Sequence, residues 1–148
     1  MKAYAPRDHR NVALIGHGGA GKTTLAEALL FRVKATPRLG SVTDGSSVLD
    51  YLPEEHKRQA SVGLAAATFE HADRKITLID TPGFPDFSAE VSAALHAAEA
   101  AMLVVAADAG MEVGSELTWK KRYARMPAFI VINGMDREMA DGTAALKS

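Results

Sequence analysis

Short apolar segments alternate with longer segments of helical spacing along this chain. The apolar and β-branched runs predict strands at residues 12–15, 64–69, 76–79, 102–107 and 128–132. Four of the five runs are almost wholly apolar, which is typical of strands buried on both faces of a parallel sheet. The pattern therefore predicts an α/β fold with helices covering the sheet.

Two of the intervening segments predict amphipathic helices, because their apolar residues recur at spacings of three and four. The first contains Ala26, Leu29, Leu30 and Val33, and the second contains Phe87, Val91, Ala94, Leu95 and Ala98. A weaker third helix is predicted before Pro127, with an apolar side formed by Val113, Leu117 and Tyr123 and with Trp119 beside them.

Two connections differ from the alternating pattern. Residues 70–75 form a short polar turn between two predicted strands, so these strands are expected to pair as an antiparallel hairpin at one edge of the sheet. Residues 34–62 show no period and contain Pro37, Gly40 and Pro53. A connection of this length inside a compact domain is usually functional or disordered.

Composition narrows the functional classes. The 148 residues suit one domain, and a net charge of -1 offers no general attraction to nucleic acids or membranes. We therefore predict that the basic residues of the third helix are solvated and bind no nucleic acid; they are Lys120, Lys121, Arg122 and Arg125. The chain has no cysteine and no apolar run long enough for a membrane span, so a cytoplasmic location without membrane contact is expected.

The stretch GHGGAGKTT follows the first predicted strand and opens the first helix, as the P-loop pattern requires. Glycines there let successive backbone N–H groups surround a phosphate, Lys22 adds a cation, and the hydroxyl of Thr23 is suited to magnesium. A flexible glycine-rich connector is the structural alternative. The predicted nucleotide-binding residues of this loop are Gly16, His17, Gly18, Gly19, Ala20, Gly21, Lys22, Thr23 and Thr24.

The stretch DTPG ends the strand that we expect beside the P-loop strand. In that place Asp80 can hold magnesium through water, and the N–H group of Gly83 can reach a γ-phosphate. Asp-Thr-Pro-Gly is also ordinary turn chemistry. The predicted position beside the P-loop favours the phosphate-sensing interpretation.

The stretch NGMD closes the fifth predicted strand and contains Asn133, Gly134, Met135 and Asp136. A carboxylate at Asp136 can accept both the N1–H and the exocyclic amine of guanine, whereas adenine offers neither donor there. The spacing is weak alone, and gains weight because it follows the other two motifs in order.

These three motifs resemble the first, third and fourth nucleotide-binding motifs of translational GTPases. The stretches LDYLPEEHKRQASV and DTPGFPDFSAEVSAAL are most similar to elongation factor G and its paralogues. The resemblance covers nearly the whole chain. It implies a P-loop NTPase fold, hydrolysis of GTP to GDP with Mg²⁺, and the ribosome as a partner of the full-length protein. It also implies that residues 34–62 are the first switch and that Ser61 stands for the family's magnesium-binding threonine.

The chain departs from the family pattern at four positions. Gly19 replaces an aspartate, Gln59 replaces a glycine just before the switch hydroxyl, and Gly134 replaces a lysine whose stem covers one face of the base. The catalytic positions implied by the resemblance are Lys22 and Phe84, and Phe84 replaces a histidine that positions the attacking water. We therefore expect slow hydrolysis and weak nucleotide binding.

Residues 1–148 are interpreted as a GTP-binding domain truncated before the fifth nucleotide-binding motif, since no strand for that motif follows Asp136. The expected consequence is an unpaired strand edge, with marginal stability or self-association. Two alternatives to a GTPase stay open on the sequence. One is a nucleotide-gated binding module without efficient hydrolysis, and the other is a partitioning-type P-loop ATPase.

Overall fold

The computed structural model describes residues 3–122 and 126–148. Its sheet contains five strands: β1 (His9–Ile15), β2 (Ala65–His71), β3 (Arg74–Asp80), β4 (Ala100–Ala106) and β5 (Ala128–Asn133). Their spatial order is β2-β3-β1-β4-β5. β1 runs parallel to both β3 and β4, and β4 runs parallel to β5. Among these five strands β2 alone is antiparallel, pairing with β3 at one edge, so the predicted mixed sheet is confirmed.

Helices cover both faces of this sheet, as predicted. The five α-helices of the described ranges are α1 (Lys22–Arg32), α2 (Pro53–Arg58), α3 (Ser88–Ala97), α4 (Val113–Lys121) and α5 (Gly142–Lys147). On one face, Ala26 and Leu30 of α1 pack with Leu14 of β1. On the other face, Val91 and Leu95 of α3 join a second apolar cluster. Alternate residues of β1 and β4 point to opposite clusters, which explains why these central strands are apolar throughout.

The predicted apolar side of α4 is wrong. Val113 is 69% exposed and Leu117 is 46% exposed, whereas Gly114, Ser115 and Thr118 are buried. Small residues on the buried side let the helix backbone approach the loop after β1, where a side chain at position 114 would collide with His17. Tyr123, which the prediction included, lies outside the described residues.

The loop at residues 34–62 contains α2, which the sequence pattern did not predict. Two buried glutamates hold the loop in place. Glu27 of α1 accepts hydrogen bonds from the hydroxyl of Ser47 at 2.7 Å and from the backbone N–H of Val48 at 2.6 Å. Glu55 accepts backbone N–H groups of Leu52 at 3.0 Å and Val62 at 2.9 Å. Because both carboxylates receive several donors, the loop has a defined path across α1.

The strand β5 and the segment that follows it differ from the expected pattern. β5 forms the edge opposite β2, so Phe129 and Ile130 are 48% and 44% exposed instead of buried on both faces. The last helix, α5, was not predicted. It begins where the carboxylate of Asp141 accepts the backbone N–H groups of Thr143 and Ala144, a common N-cap arrangement. The expectation of self-association stays a prediction.

The basic residues of α4 make local contacts. Lys120 pairs with Glu116 at 3.1 Å, and Lys121 donates to the carbonyl of Ser88. The guanidinium of Arg122 lies over the ring of Trp119 at 4.2 Å. The remaining member, Arg125, lies outside the described residues. Across residues 3–122 and 126–148, no helix has the length and apolar character needed to cross a membrane.

Candidate nucleotide-binding site

The three predicted motifs follow the carboxyl ends of parallel strands β1, β3 and β5. The P-loop connects β1 to α1, DTPG begins at the last residue of β3, and NGMD begins at the last residue of β5. Ligands of open parallel sheets bind at this edge, outside the ends of the strands. One cleft there contains residues from the P-loop, the switch-like loop and the DTPG turn, among them Gly18, Lys22, Thr24, Ser61 and Gly83.

The P-loop has the backbone of a phosphate-binding turn. Gly19 and Gly21 have φ angles of 81° and 87°, and Gly21 directly precedes α1. These left-handed conformations favour glycine, and they curl the loop in front of the helix N-terminus. Lys22 is only 6% exposed, and its Nζ donates to the carbonyls of Gly16 at 3.1 Å and His17 at 2.8 Å. The side chain of Lys22 therefore has a fixed position across the loop. A glycine-rich segment that served only as a flexible connector would not need a buried lysine held in this way.

Two hydroxyls and two carboxylates form a continuous chain beside the P-loop. Thr23 Oγ1 donates to Asp80 Oδ2 at 2.6 Å, and Ser61 Oγ donates to Asp50 Oδ1 at 2.6 Å. The two hydroxyl oxygens lie 3.1 Å apart. Each hydroxyl has a carboxylate to which it can donate, so its oxygen is available to accept from the other hydroxyl or to bind a cation. The predicted residues Thr23, Ser61 and Asp80 are thus brought together.

This arrangement suits a small hard cation. Asp80 Oδ1 and Asp50 Oδ2 are buried and have no hydrogen-bond partner among the described residues. Magnesium prefers oxygen ligands and commonly takes one or two carboxylates while its other positions hold water and phosphate. Within the described part of the chain no cluster of three or more His, Cys, Asp or Glu residues could hold a metal ion by itself. The hydroxyls and phosphates would have to complete the coordination.

Burial disfavours the charged forms of the side chains in this site. Burial raises the pKa of Asp80 to about 6, despite the hydrogen bond from Thr23 and the nearby charge of Lys22. Burial lowers the pKa of Lys22 to about 8, with Asp80 partly opposing the change. Burial also raises the pKa of Asp50. A bound cation would supply positive charge beside Asp80 and Asp50. A bound polyphosphate would supply negative charge beside Lys22.

Replacing Asp80 with asparagine should change the pH dependence of stability in the absence of nucleotide and magnesium. The folded-state pKa of Asp80 is about 6 and the unfolded value is 3.8, so the native protein binds more protons within this window. The wild type should therefore lose stability as the pH rises through the window. Across this window the free energy of unfolding of the wild type should fall by about 3 kcal/mol more than that of Asp80→Asn. Urea unfolding between about pH 4 and pH 7 measures it.

The control is Asp86→Asn, which removes an exposed carboxylate from the turn before α3. It should follow the wild-type stability curve. Parallel curves for the wild type and Asp80→Asn would contradict the prediction.

The DTPG turn lies directly against the P-loop. A side chain at Gly83 would collide with the backbone of His17 and Gly18 and with Lys22 Nζ, so only glycine fits there. The ring of Phe84 lies over Gly18, where an added Cβ would be 3.0 Å from Cζ of the ring. Phe84 is 45% exposed and lines the cleft. A phenylalanine therefore stands beside the phosphate-binding loop and offers no hydrogen-bonding group.

The switch-like loop approaches the site through Gln59. This residue ends α2 in a left-handed conformation with φ of 51°. Such a conformation favours glycine and disfavours a residue with a side chain. The amide of Gln59 donates to the carbonyl of Thr43 at 3.0 Å, which helps to hold the strained turn just before Ser61.

The NGMD motif is joined to the P-loop by one side chain. Asn133 Nδ2 donates to the carbonyl of Ala20 at 2.9 Å and lies 3.5 Å from that of Gly21. Met135 and Asp136 are exposed, and neither lines the cleft formed by the P-loop. The structure thus brings Asn133 to the P-loop, whereas the carboxylate of Asp136 extends into solvent beside it.

The residues of the cleft that the sequence interpretation missed include Asp50 and Arg137. Asp50 lies in the switch-like loop, within a stretch that already resembled elongation factor G, and the acid could have been singled out there. Arg137 directly follows Asp136, but nothing in the motif indicated that it faces the P-loop. Ser115 was also missed; its hydroxyl accepts the backbone N–H of His17 at 3.0 Å and attaches the P-loop to α4.

The family described as the elongation factor Tu GTP binding domain matches residues 7–147. The chain belongs to this family. It is 42% identical over 145 residues to an elongation factor G-like protein of Mycobacterium tuberculosis, covering 97% of this chain and 20% of the relative. It is 40% identical over 129 residues to the mitochondrial ribosome-releasing factor 2 of Schizosaccharomyces pombe, covering 86% of this chain and 16% of the relative.

Solved structures agree with this assignment. A crystal structure of a Thermus thermophilus protein matches 93% of this chain and 21% of that chain, with a TM-score of 0.88 and 39% identity. A bacterial selenocysteine-specific elongation factor matches 93% of this chain and 22% of that chain, with a TM-score of 0.71 and 25% identity. The predicted P-loop GTPase class is confirmed, and family membership rules out a partitioning-type ATPase. The chain spans about a fifth of the length of the curated relatives it matches.

Proposed function

We propose that this domain binds GTP and hydrolyses it slowly to GDP with Mg²⁺, as the nucleotide switch of an elongation factor G-like protein. The observation that supports this most strongly is that Lys22 and Thr23 line one cleft together with Gly83, and that Thr23 donates a hydrogen bond to the buried carboxylate of Asp80. Within the proposal, Lys22 and the P-loop N–H groups bind the β- and γ-phosphates. The N–H of Gly83 donates a hydrogen bond to the γ-phosphate.

In this proposal the hydroxyls of Thr23 and Ser61 would hold Mg²⁺, and the carboxylates of Asp80 and Asp50 would bind it through water. The ion would neutralise charge that develops on the transferred phosphoryl group. Ser61 reaches this site from the switch-like loop, so an ion and phosphate would link that loop to the P-loop. Loss of the γ-phosphate would remove this link, so the switch-like loop is expected to change position.

A second function is supported by Phe84. A chain without a polar group beside the attacking water could serve as a nucleotide-gated binding module in which GTP fixes a conformation and hydrolysis is inefficient. The two functions share the same cleft and differ only in turnover. The rate of hydrolysis therefore distinguishes them.

The larger protein is proposed to act on the ribosome. This proposal rests on relatives named elongation factor G-like protein and ribosome-releasing factor 2, and not on a surface of this chain. A cytoplasmic location stays a prediction, since several relatives are named as mitochondrial.

The proposal predicts guanine preference through Asp136. GTP should displace a fluorescent GDP analogue in the presence of magnesium at concentrations where ATP does not. Asp136→Asn should reverse the preference towards xanthosine triphosphate, because an amide offers one acceptor to the N1–H and one donor to the 2-carbonyl of xanthine. Discrimination of about 10²-fold or more is expected. Equal displacement by ATP and GTP would overturn the assignment of the base site.

The matched control is Asp141→Asn, which removes the N-cap carboxylate of α5 outside the cleft. It should keep the wild-type preference for guanine.

A further inference from the structure

The side chain of Arg137 occupies the space beside Gly134. A Cβ added to Gly134 would lie 2.9 Å from Arg137 Nε, 3.1 Å from Cδ and 3.3 Å from Cζ. Gly134 also has a φ angle of 72°, which disfavours other residues. The arginine thus fills the position from which a side chain at residue 134 would start.

Three hydrogen bonds fix the guanidinium there. One nitrogen donates to both carboxylate oxygens of Asp108, at 2.8 Å and 3.1 Å, and the other donates to the carbonyl of Gly19 at 3.2 Å. Arg137 therefore spans from the end of β4 to the P-loop. A side chain whose guanidinium is already held by two partners loses little further freedom when a ligand binds against it.

Arg137, the residue directly after the NGMD motif, also lines the cleft. The cleft contains Gly19, Gly21, Thr24 and Arg137, but neither Met135 nor Asp136. A planar guanidinium stacks on aromatic rings and is attracted to their faces. Because Arg137 directly follows Asp136 and donates to Gly19 of the P-loop, a purine with its edge at Asp136 and its phosphates in the P-loop would lie near this side chain.

We propose that Arg137 covers one face of the bound guanine base and so determines nucleotide affinity in place of a side chain at position 134. The proposal rests on the guanine binding proposed above. Arg137 acts on the base and not on the phosphates, since its charge is already paired with Asp108.

The test compares a ligand that has a base with one that has none. Arg137→Ala should weaken GDP binding by about 5- to 30-fold, the range expected for the loss of a stacked cation. It should leave binding of inorganic pyrophosphate unchanged. Arg137→Met, which keeps an apolar stem that can lie on the ring, should lose less GDP affinity than Arg137→Ala. Arg32→Ala, at the exposed end of α1, is the matched control and should bind both ligands normally.

Gly134→Lys gives an independent measurement. While Arg137 is present, the added side chain meets the guanidinium and a left-handed backbone, so GDP affinity should not rise. A several-fold gain would show that the base face was uncovered, and would overturn the proposal. Equal losses of GDP and pyrophosphate in Arg137→Ala would also overturn it, because they would indicate a phosphate contact.

The outcomes also separate this inference from the proposed function. Wild-type protein that binds pyrophosphate but shows no preference for GDP over ADP would contradict guanine binding itself. Wild-type protein that prefers GDP, together with an Arg137→Ala variant of equal GDP affinity, would overturn only the role of Arg137. Thermal melting of each nucleotide-free variant shows whether it is folded.

Discussion

Replacing Lys22 with methionine should weaken GTP binding by about 10²- to 10³-fold, the cost of removing a buried cation from a charged ligand. The same substitution should stabilise the nucleotide-free protein. Burial lowers the pKa of Lys22 to about 8 from 10.5, so its charged form is held at a cost at neutral pH. Methionine keeps the apolar stem and removes that charge, so a gain of about 1 to 3 kcal/mol is expected.

Two measurements check this prediction: GTP titration with magnesium, and urea unfolding without nucleotide. Lys147→Met is the control, since this exposed lysine of α5 is outside the cleft and should change neither quantity. GTP affinity should fall while the stability of the nucleotide-free protein rises. Replacing a lysine with a purely structural role would instead destabilise the protein. A variant that is less stable and binds GTP normally would show that Lys22 only supports the loop through the carbonyls of Gly16 and His17.

Replacing Phe84 with histidine should accelerate single-turnover GTP hydrolysis by up to about 10²-fold, the lower end of the effect of a well-placed orienting group. The ring of Phe84 lies over Gly18 at the P-loop, and it has no donor or acceptor for the attacking water. A histidine at the same turn brings a polar nitrogen to that position. The wild type should therefore hydrolyse saturating GTP slowly in the presence of magnesium.

Two control variants separate a missing polar group from a blocking ring. Phe84→Leu keeps an apolar side chain and should be as slow as the wild type. Phe84→Ala uncovers Gly18, and acceleration in this variant equal to that of histidine would show that the ring excludes water. Rapid hydrolysis by the unmodified chain would mean that another residue orients the water, and the interpretation of Phe84 would then be wrong.

The hydrophobic pattern predicted the α/β architecture correctly, but it did not predict the buried side of α4. The central strands β1 and β4 are apolar on both faces because helices cover both sides, so their sequences predict their position. The side of α4 was predicted wrongly because its buried residues are small and polar: Gly114, Ser115 and Thr118. Their burial follows from the close approach of α4 to the P-loop, and periodicity gives no information on such an approach.

The helices α2 and α5 were missed for a related reason. Each has only six residues, too few to show a period. α2 is fixed by the buried carboxylate of Glu55, and α5 begins at the N-cap residue Asp141. Single hydrogen-bonding side chains of this kind are weaker sequence signals than a repeated apolar pattern.

The sequence alone determined the fold class, the three motifs and their order. These depend on local chemistry: glycines at left-handed positions, apolar strands before each motif, and lysine and threonine at the helix start. The tertiary structure decided which distant groups meet. Ser61 lies beside Thr23, Glu27 holds Ser47, and Arg137 reaches Gly19. Each of these contacts joins elements far apart in the chain, and it exists only because the parallel sheet brings the ends of its strands together at one edge.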